Sequence, residues 1–202
     1  MSGADPKVSD GHTLRLVATI QARRAGRPLP ERVRRFLRYR LRGHVDPERL
    51  VRQGLRLGAD VYIAPGAIVD PRHCWLVSIG DQTTLAPGVH ILAHDASTKA
   101  HLGYSKIGEV RIGRRVFLGA GTIVLPDVRI GDCAIVGAGS VVRDDVPPGM
   151  VAVGNPARTV CTTAEYLERH RERMRVRPRF GRAGENKETM RAAVRDGAAY
   201  VE

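Results

Sequence analysis

The residue of this chain best suited to proton transfer is His94, one of seven histidines. An imidazole titrates near neutrality, so it can take a proton from a hydroxyl or an amine as that group attacks a carbonyl carbon. His94 is followed by Asp95 and by the polar stretch ASTKAHLGYSKIGEV. Asp95 could orient the imidazole or bind a substrate hydroxyl, whereas His90 and His101 fit packing or substrate contact better. The sequence therefore indicates one candidate general base, His94.

The three cysteines favour neither disulfide nor metal chemistry. Cys74, Cys133 and Cys161 are odd in number and widely separated, unlike a disulfide framework or the close pairs of a zinc site. No metal is therefore expected, and a reducing cytoplasm is the simplest prediction. The first residues carry Asp and His where a secretory signal would be apolar, and nowhere do about 18 apolar residues run together to span a membrane.

The positive charge of the chain lies on its flanks. The formal net charge is +12, and arginines concentrate in QARRAGRPLPERVRRFLRYRLRGH near the start and LERHRERMRVRPRFGR near the end. Such segments could touch an anionic membrane surface or an acidic acyl carrier protein, and no nucleic-acid partner is expected. Only 4% of the residues are aromatic and 22 are glycine, which predicts an aliphatic, regular core in one domain.

A six-residue repeat organises the middle of the chain. Aliphatic anchors recur every sixth residue, and the fourth residue after most anchors is small or β-branched, so both positions are expected to point inward. Glycines directly after several anchors predict turns, and three six-residue sides would close one coil whose equivalent positions stack. The anchors are Leu57, Ile63, Val69, Ile79, Leu85, Ile91, Ile112, Leu118, Val124, Ile130, Val136 and Val142.

The repeat is interrupted twice, and each interruption lies beside a histidine. The fourth-residue rule fails at His73 and Asp95. The spacing between Val69 and Ile79 is ten residues, and between Ile91 and Ile112 it is twenty-one. The second interruption predicts a loop over residues 95–111 that leaves the coils after His94. Long loops in compact repeat proteins are usually functional, so these are the places where chemistry could enter.

The repeat resembles that of the hexapeptide-repeat acyltransferases over about residues 55–160. The segments SIGDQTTLAPGVHILAHD and RIGRRVFLGAGTIVLPDVRIGDCAIVGAGSVVRDDVPPGMVAVGNPAR look most like maltose-type and polysaccharide O-acetyltransferases. The resemblance implies an all-β fold, a left-handed parallel β-helix of hexapeptide repeats, with an N-terminal helical segment and a C-terminal helix. The implied domains are an arm and Arg-rich helical cap (1–54, with a helix over 31–42), the β-helix (55–160), and a helix with a polar tail (161–202).

The same resemblance assigns roles to particular residues. His94 matches the family's catalytic histidine, and the loop residues Asp95, His101 and Tyr104 would contact the acceptor. The donor would be acetyl-CoA, whose pantetheine arm needs small corner residues and whose phosphates could meet arginines. The residues implied in cofactor binding are Phe117, Gly119, Ala120, Gly137, Ala138, Arg143, Asn155, Pro156 and Arg158.

The implied protein is a homotrimeric O-acetyltransferase that acts on a hydroxyl of a sugar or another small acceptor. Three alternatives stay open. The first is N-acetylation of an amino sugar. The second is a γ-carbonic-anhydrase-like protein with zinc on His73, His90 and His94, which the spacing disfavours. The third is a scaffold of the same fold without catalysis.

Overall fold

The hexapeptide repeat forms very short strands in a computed structural model of the chain. The structure describes residue 30 and residues 46–177, 179–180, 187–195 and 197–201. Residues 46 onward belong to one structural unit, Tyr39–Glu202. The helix expected over residues 31–42 lies outside the described residues.

Successive strands of the repeat join three parallel sheets in turn. One sheet has the order β1-β4-β9-β12, a second β2-β5-β10-β13-β15-β16, and a third β3-β6-β11-β14. Only β16, which returns beside β15, runs antiparallel within these three sheets. The strands are β1 (Arg56–Leu57), β2 (Tyr62–Ile63), β3 (Ile68–Val69), β4 (Val77–Ile79), β5 (Thr84–Leu85), β6 (His90–Ile91), β7 (His94–Asp95), β8 (Lys106–Ile107), β9 (Val110–Ile112), β10 (Phe117–Leu118), β11 (Ile123–Val124), β12 (Arg129–Ile130), β13 (Ile135–Val136), β14 (Val141–Val142), β15 (Met150–Val153), β16 (Arg158–Thr162), β17 (Arg179–Phe180) and β18 (Tyr200–Val201).

The predicted anchors form the core, stacked in register between coils. Leu118 pairs with Leu85 below it and Val136 above it, and all three side chains are fully buried. The anchors from Val69 to Val142 are buried as predicted, while Leu57 and Ile63 in the first coil are half-buried because they have a neighbour on one side only. Burial of these aliphatic side chains is the main stabilising contribution of the repeat.

The left-handed turns of the coils lie two residues after the glycines at which turns were expected. A left-handed backbone recurs at the third residue after an anchor: Asp60, Gly66, Gln82, Gly88, Arg115, Gly121, Asp127, Cys133 and Gly139. The glycines directly after the anchors are needed for a different reason, the close approach of coils. A Cβ on Gly119 would lie 2.5 Å from the backbone nitrogen of Ala138. The left-handed turn is missing after Val69 and after Ile91, where the two interruptions begin.

The two interruptions leave the coils at the same corner. After β3 the chain makes a 3-10 turn, Cys74–Leu76, before β4. After β6 it forms an excursion in which β7 pairs antiparallel with β8 and the short helix α2 (Lys99–Leu102) lies between them. The excursion thus begins at His94 and ends before Val110, where β9 rejoins the coils, and the end expected at residue 111 lies within that strand.

The part of the chain that the structure describes contains three further helices. Helix α1 (Pro47–Arg52) precedes β1 and is capped by Asp46. Helix α3 (Thr163–Val176) is the helix expected after the coils; Thr162 is its N-cap, and Glu165 completes a capping box. Helix α4 (Lys187–Ala193) lies between β17 and β18. None of the helices that the structure describes has the length and apolarity needed to cross a membrane.

Candidate active site

The imidazole of His94 contacts a carboxylate from the neighbouring coil. Nδ1 of His94 lies 2.5 Å from Oδ2 of Asp70. Asp70 directly follows β3 and His94 begins β7, and the pairing of Val69 with Ile91 brings the two residues together. The side chain of His94 is 31% exposed, whereas that of Asp70 is 0% exposed. A ligand can therefore reach the imidazole, while the carboxylate stays shielded from water.

The carboxylate of Asp70 is held by four donors. Oδ1 accepts the backbone N–H groups of Arg72 and His73, each at 3.0 Å, and Oδ2 accepts the N–H of Ala93 at 3.0 Å in addition to His94. Burial raises the pKa of Asp70, but the hydrogen bonds from His94 and from these N–H groups outweigh it and lower the pKa below its ordinary value. An ionised carboxylate can only accept hydrogen bonds, so a neutral His94 carries its proton on Nδ1 and keeps a lone pair on Nε2.

Asp70 is the site residue that the sequence analysis missed. It stands directly after the anchor Val69, and the equivalent positions at this corner hold Leu92, Leu125 and Arg143. An acidic residue directly after an anchor, at the corner where the candidate base lies one coil later, is the signal that could have identified it. A buried carboxylate needs compensating donors, and two of the four, the N–H groups of Arg72 and His73, come from the interruption that follows Asp70.

A second imidazole, that of His73, lies against the first. The ring centroids of His73 and His94 are 4.8 Å apart and their planes are tilted by 43°. Nδ1 of His73 is buried, lies 3.7 Å from Oδ1 of Asp70, and has no hydrogen-bond partner in the described structure. The structure thus gathers Asp70, His73 and His94, whose ligand atoms lie within 4.8 Å of one another. His90 is outside this group, on β6 between Ile68 and Ile123.

The expected acceptor residues lie on the excursion between β7 and β8. Asp95 is exposed, and its Oδ1 accepts the backbone N–H of Ser97 at 2.8 Å. Hydrogen bonds from the backbone and the side chain of Ser97 lower the pKa of Asp95. His101 is exposed on α2, and Tyr104 is 81% exposed. The imidazole of His94 is oriented by Asp70 and not by Asp95, while the roles of Asp95, His101 and Tyr104 towards an acceptor stay predictions.

The small residues expected at the cofactor meet at one corner of two adjacent coils. Gly119 faces the backbone of Ala138 and Gly137, and the N–H of Gly139 donates to the carbonyl of Ala120 at 2.8 Å. Here the backbone is covered by little side-chain bulk. Phe117 is 45% exposed on β10, two residues before this corner.

The expected phosphate-binding arginines share one carboxylate. Nη1 of Arg158 lies 2.9 Å and Nε of Arg143 lies 3.3 Å from Oδ2 of Asp144. All three side chains are more than half exposed. Asn155 and Pro156, joined by a cis peptide bond, precede Arg158 in the turn between β15 and β16.

Comparisons with known proteins agree with the repeat. Residues 109–144 match the family model described as bacterial transferase hexapeptide (six repeats). The chain is 47% identical over 108 residues to nodulation protein L of Rhizobium leguminosarum bv. viciae, covering 52% of this chain and 55% of that protein. It is 42% identical over 93 residues to YvoF of Bacillus subtilis (strain 168), named as a candidate acetyltransferase, covering 46% of this chain and 52% of that protein. The chain thus spans about half the length of these two relatives. It is also 38% identical over 134 residues to nodulation protein L of Rhizobium meliloti (strain 1021), covering 61% of this chain and 72% of that protein.

One solved structure is similar over most of the chain. It is a hexapeptide-repeat-containing acetyltransferase from Vibrio cholerae O1 biovar eltor, crystallised with acetyl coenzyme A. The TM-score is 0.52 at 23% identity, and the alignment covers 80% of this chain and 93% of that one. At this identity the similarity supports a shared fold alone.

Proposed function

Because the chain belongs to the bacterial hexapeptide-repeat transferase family, we propose that it is an acetyl-CoA-dependent O-acetyltransferase that acts on a hydroxyl of a sugar or a similar small acceptor. The observation that carries the proposal is the contact between Nδ1 of His94 and the buried carboxylate of Asp70. That contact directs the free lone pair of the imidazole, on Nε2, away from Asp70. A base with a fixed tautomer is what direct acyl transfer requires.

The proposed reaction is a single transfer with His94 as general base. Nε2 removes the proton of the acceptor hydroxyl as its oxygen attacks the thioester carbonyl of acetyl-CoA. The tetrahedral intermediate collapses with cleavage of the C–S bond, and the proton passes from His94 to the departing sulfur. Asp70 stabilises the imidazolium that exists between these two proton transfers, because its carboxylate is ionised and lies on the other ring nitrogen.

The cofactor would lie along the corner formed by Gly119, Ala120, Gly137 and Ala138. A narrow pantetheine arm can hydrogen-bond to backbone groups where side-chain bulk is small, and the close approach of these coils supplies such a surface. Arg143 and Arg158 would meet the phosphates at the end of the coils, near Asn155 and Pro156. They must then exchange contacts with Asp144 for contacts with phosphate oxygens.

The acceptor would be held by the excursion after His94. Asp95 offers carboxylate oxygens directly after the base in the chain, and Tyr104 offers an exposed ring and hydroxyl on the same excursion. These groups suit a sugar with several hydroxyls and apolar ring faces. The proposal includes a left-handed, closed β-helix and a homotrimer whose sites lie between the coils of neighbouring subunits. In a trimer a neighbouring chain would cover the corner at Gly119 and enclose the cofactor arm.

The experiment that tests the function is an acceptor screen with acetyl-CoA. Release of the CoA thiol would be followed for wild type and His94→Ala over sugars, amino sugars and polyols, with products assigned to O- or N-acetylation by mass spectrometry and NMR. Acetylation of a hydroxyl by wild type alone supports the proposal. Acetylation only of amines would make the protein an N-acetyltransferase. No binding of acetyl-CoA in calorimetry and no turnover of any acceptor would reject acetyl transfer and favour a scaffold of this fold.

A further inference from the structure

We propose that Asp70, His73 and His94 form a binding site for a divalent transition metal ion of the zinc class, and that the protein with this site filled is inactive in acyl transfer. Two imidazoles and one carboxylate form a common donor set of three-ligand zinc sites, which leave a fourth position open. The binding half of the proposal stands on the geometry of the cluster alone. The inhibition half rests on the function proposed above.

The donor atoms of the cluster are spaced almost as a zinc ion requires. Zinc bonds of about 2.0–2.2 Å place neighbouring ligand atoms roughly 3.3 Å apart in a tetrahedral site. Nδ1 of His94 lies 2.5 Å from Oδ2 of Asp70, and Nδ1 of His73 lies 3.7 Å from Oδ1. One donor pair is closer than this spacing and the other is wider. Because the three ligand atoms already lie within 4.8 Å of one another, side-chain movements of about an ångström or less would admit the ion.

The buried nitrogen Nδ1 of His73 also favours a metal ion in this cluster. This atom has no hydrogen-bond partner in the described structure, although a buried polar group left unpaired destabilises a fold. Asp70 already accepts four hydrogen bonds, two on each oxygen, so His73 has no strong acceptor left at this carboxylate. A metal ion would satisfy the lone pair of this nitrogen. It would take the place of the proton between His94 and Asp70 and leave the three backbone N–H bonds of Asp70 in position.

A metal ion on His94 would block the proposed catalysis. A metal on Nδ1 of His94 requires a lone pair on that atom, so the Nδ1 proton moves through solvent to Nε2. The imidazole remains neutral and no proton is released overall. Nε2 then carries a hydrogen and cannot take the proton of an acceptor hydroxyl. The ion would thereby convert the base of the proposed reaction into a hydrogen-bond donor.

The test compares zinc binding by wild type, His73→Gln and His90→Gln. Protein stripped with EDTA would be titrated with zinc chloride by calorimetry, and bound zinc counted by elemental analysis after gel filtration. His90→Gln is the matched control, because it removes an imidazole that lies outside the cluster. We expect His90→Gln to bind as many zinc ions as wild type and His73→Gln to bind one fewer per chain, or the same ion at least about tenfold more weakly. Thermal unfolding would verify that each variant is folded, and His94→Gln is a second variant that must show the same loss.

The outcomes separate this proposal from the proposed function. Equal zinc binding by wild type, His73→Gln and His94→Gln would overturn the metal site, whatever the protein acetylates. Zinc that fills the site without slowing acetyl transfer would overturn the inhibition. If inhibition occurs, the zinc concentration for half-inhibition should rise at least about tenfold in His73→Gln, measured against the zinc-free rate of that variant. A protein that binds the additional zinc but acetylates nothing would retain the metal site and lose the proposed function.

Discussion

Nδ1 of His94 lies 2.5 Å from Oδ2 of Asp70, although the two residues are 24 positions apart in the chain. The contact follows from the parallel register of β3 and β6, which sets Val69 beside Ile91. It also depends on the two interruptions of the repeat, because both residues lie where the usual left-handed turn is missing. The site is therefore built by two departures from the repeat, on strands that the repeat holds in register.

Replacement of His94 by Ala should abolish turnover without affecting the cofactor. We expect the acetyl-transfer kcat to fall at least about a hundredfold, because the general base is lost, while the Kd of acetyl-CoA changes less than about twofold. Steady-state kinetics and calorimetry measure the two quantities. His90→Gln serves as the control for loss of an imidazole outside the site. Wild-type kcat in His94→Ala would remove this residue from the mechanism.

Replacement of Asp70 by Asn should impair the same step through the imidazole. An amide that keeps its oxygen towards the backbone N–H groups presents its NH₂ to His94, which favours the tautomer with the proton on Nε2. We expect kcat to fall at least about tenfold with an unchanged KM for acetyl-CoA. To distinguish a positioning role from an effect on folding, kcat is also measured for the double variant with His94→Ala. If Asp70 acts through His94, Asp70→Asn should cost almost nothing further there, whereas an equal loss in both backgrounds would contradict the role.

The repeat made most of the fold predictable, because the six-residue period records which side chains face the core. The anchors from Val69 to Val142 are buried, and Leu118 and Val136 stack as expected. The period does not reveal where the backbone turns. It placed the turns at glycines such as Gly119, whose role is to allow close approach between coils, whereas left-handed turns at Gln82 and Arg115 use residues without a strong turn signature.

The site was predictable only in part, because its geometry depends on contacts between coils. His94 is a candidate from the sequence alone, since it lies where the repeat gives way to an excursion. Asp70 was missed because its partnership with His94 becomes visible only when the anchors Val69 and Ile91 are set in register across the first interruption. The adjacent Asp95 was the nearer candidate, but its carboxylate bonds to the backbone of Ser97. The contact between His73 and His94 likewise forms only when the two interruptions share a corner.

The Arg158 side chain should contribute to cofactor affinity in competition with Asp144. The hydrogen bond from Arg143 and that from Arg158 hold the pKa of Asp144 below its ordinary value, so the carboxylate is ionised at neutral pH and pairs with both arginines. We expect Arg158→Gln to raise the Kd of acetyl-CoA several-fold and Asp144→Asn to lower it, with both effects reduced by added salt.

Calorimetric titration at two salt concentrations measures these changes in affinity. Arg175→Gln, at the exposed end of α3, is the control for the same change in net charge. If Arg175→Gln and Arg158→Gln weaken binding equally, the effect belongs to the overall charge, and Arg158 has no direct contact with the cofactor. If Asp144→Asn also weakens binding, competition for the arginines is not the explanation.

The buried hydroxyl of Thr83 should stabilise the coils by linking two of them. Its Oγ1 donates to the carbonyl of Gly113 at 2.8 Å and accepts the N–H of Val116 at 3.1 Å, and the residue is fully buried. Thr83→Val keeps the shape but leaves both backbone groups without this partner, so we expect the free energy of unfolding to fall by about 1–3 kcal/mol.

Thr84→Val is the matched control, since Thr84 lies on the outward register of β5 beside Tyr62 and Phe117 and should change stability by less than about 0.5 kcal/mol. Urea denaturation followed by circular dichroism would show a lower midpoint with an unchanged slope for Thr83→Val. Equal midpoints for the two variants would mean that the Thr83 bridge contributes nothing to the fold.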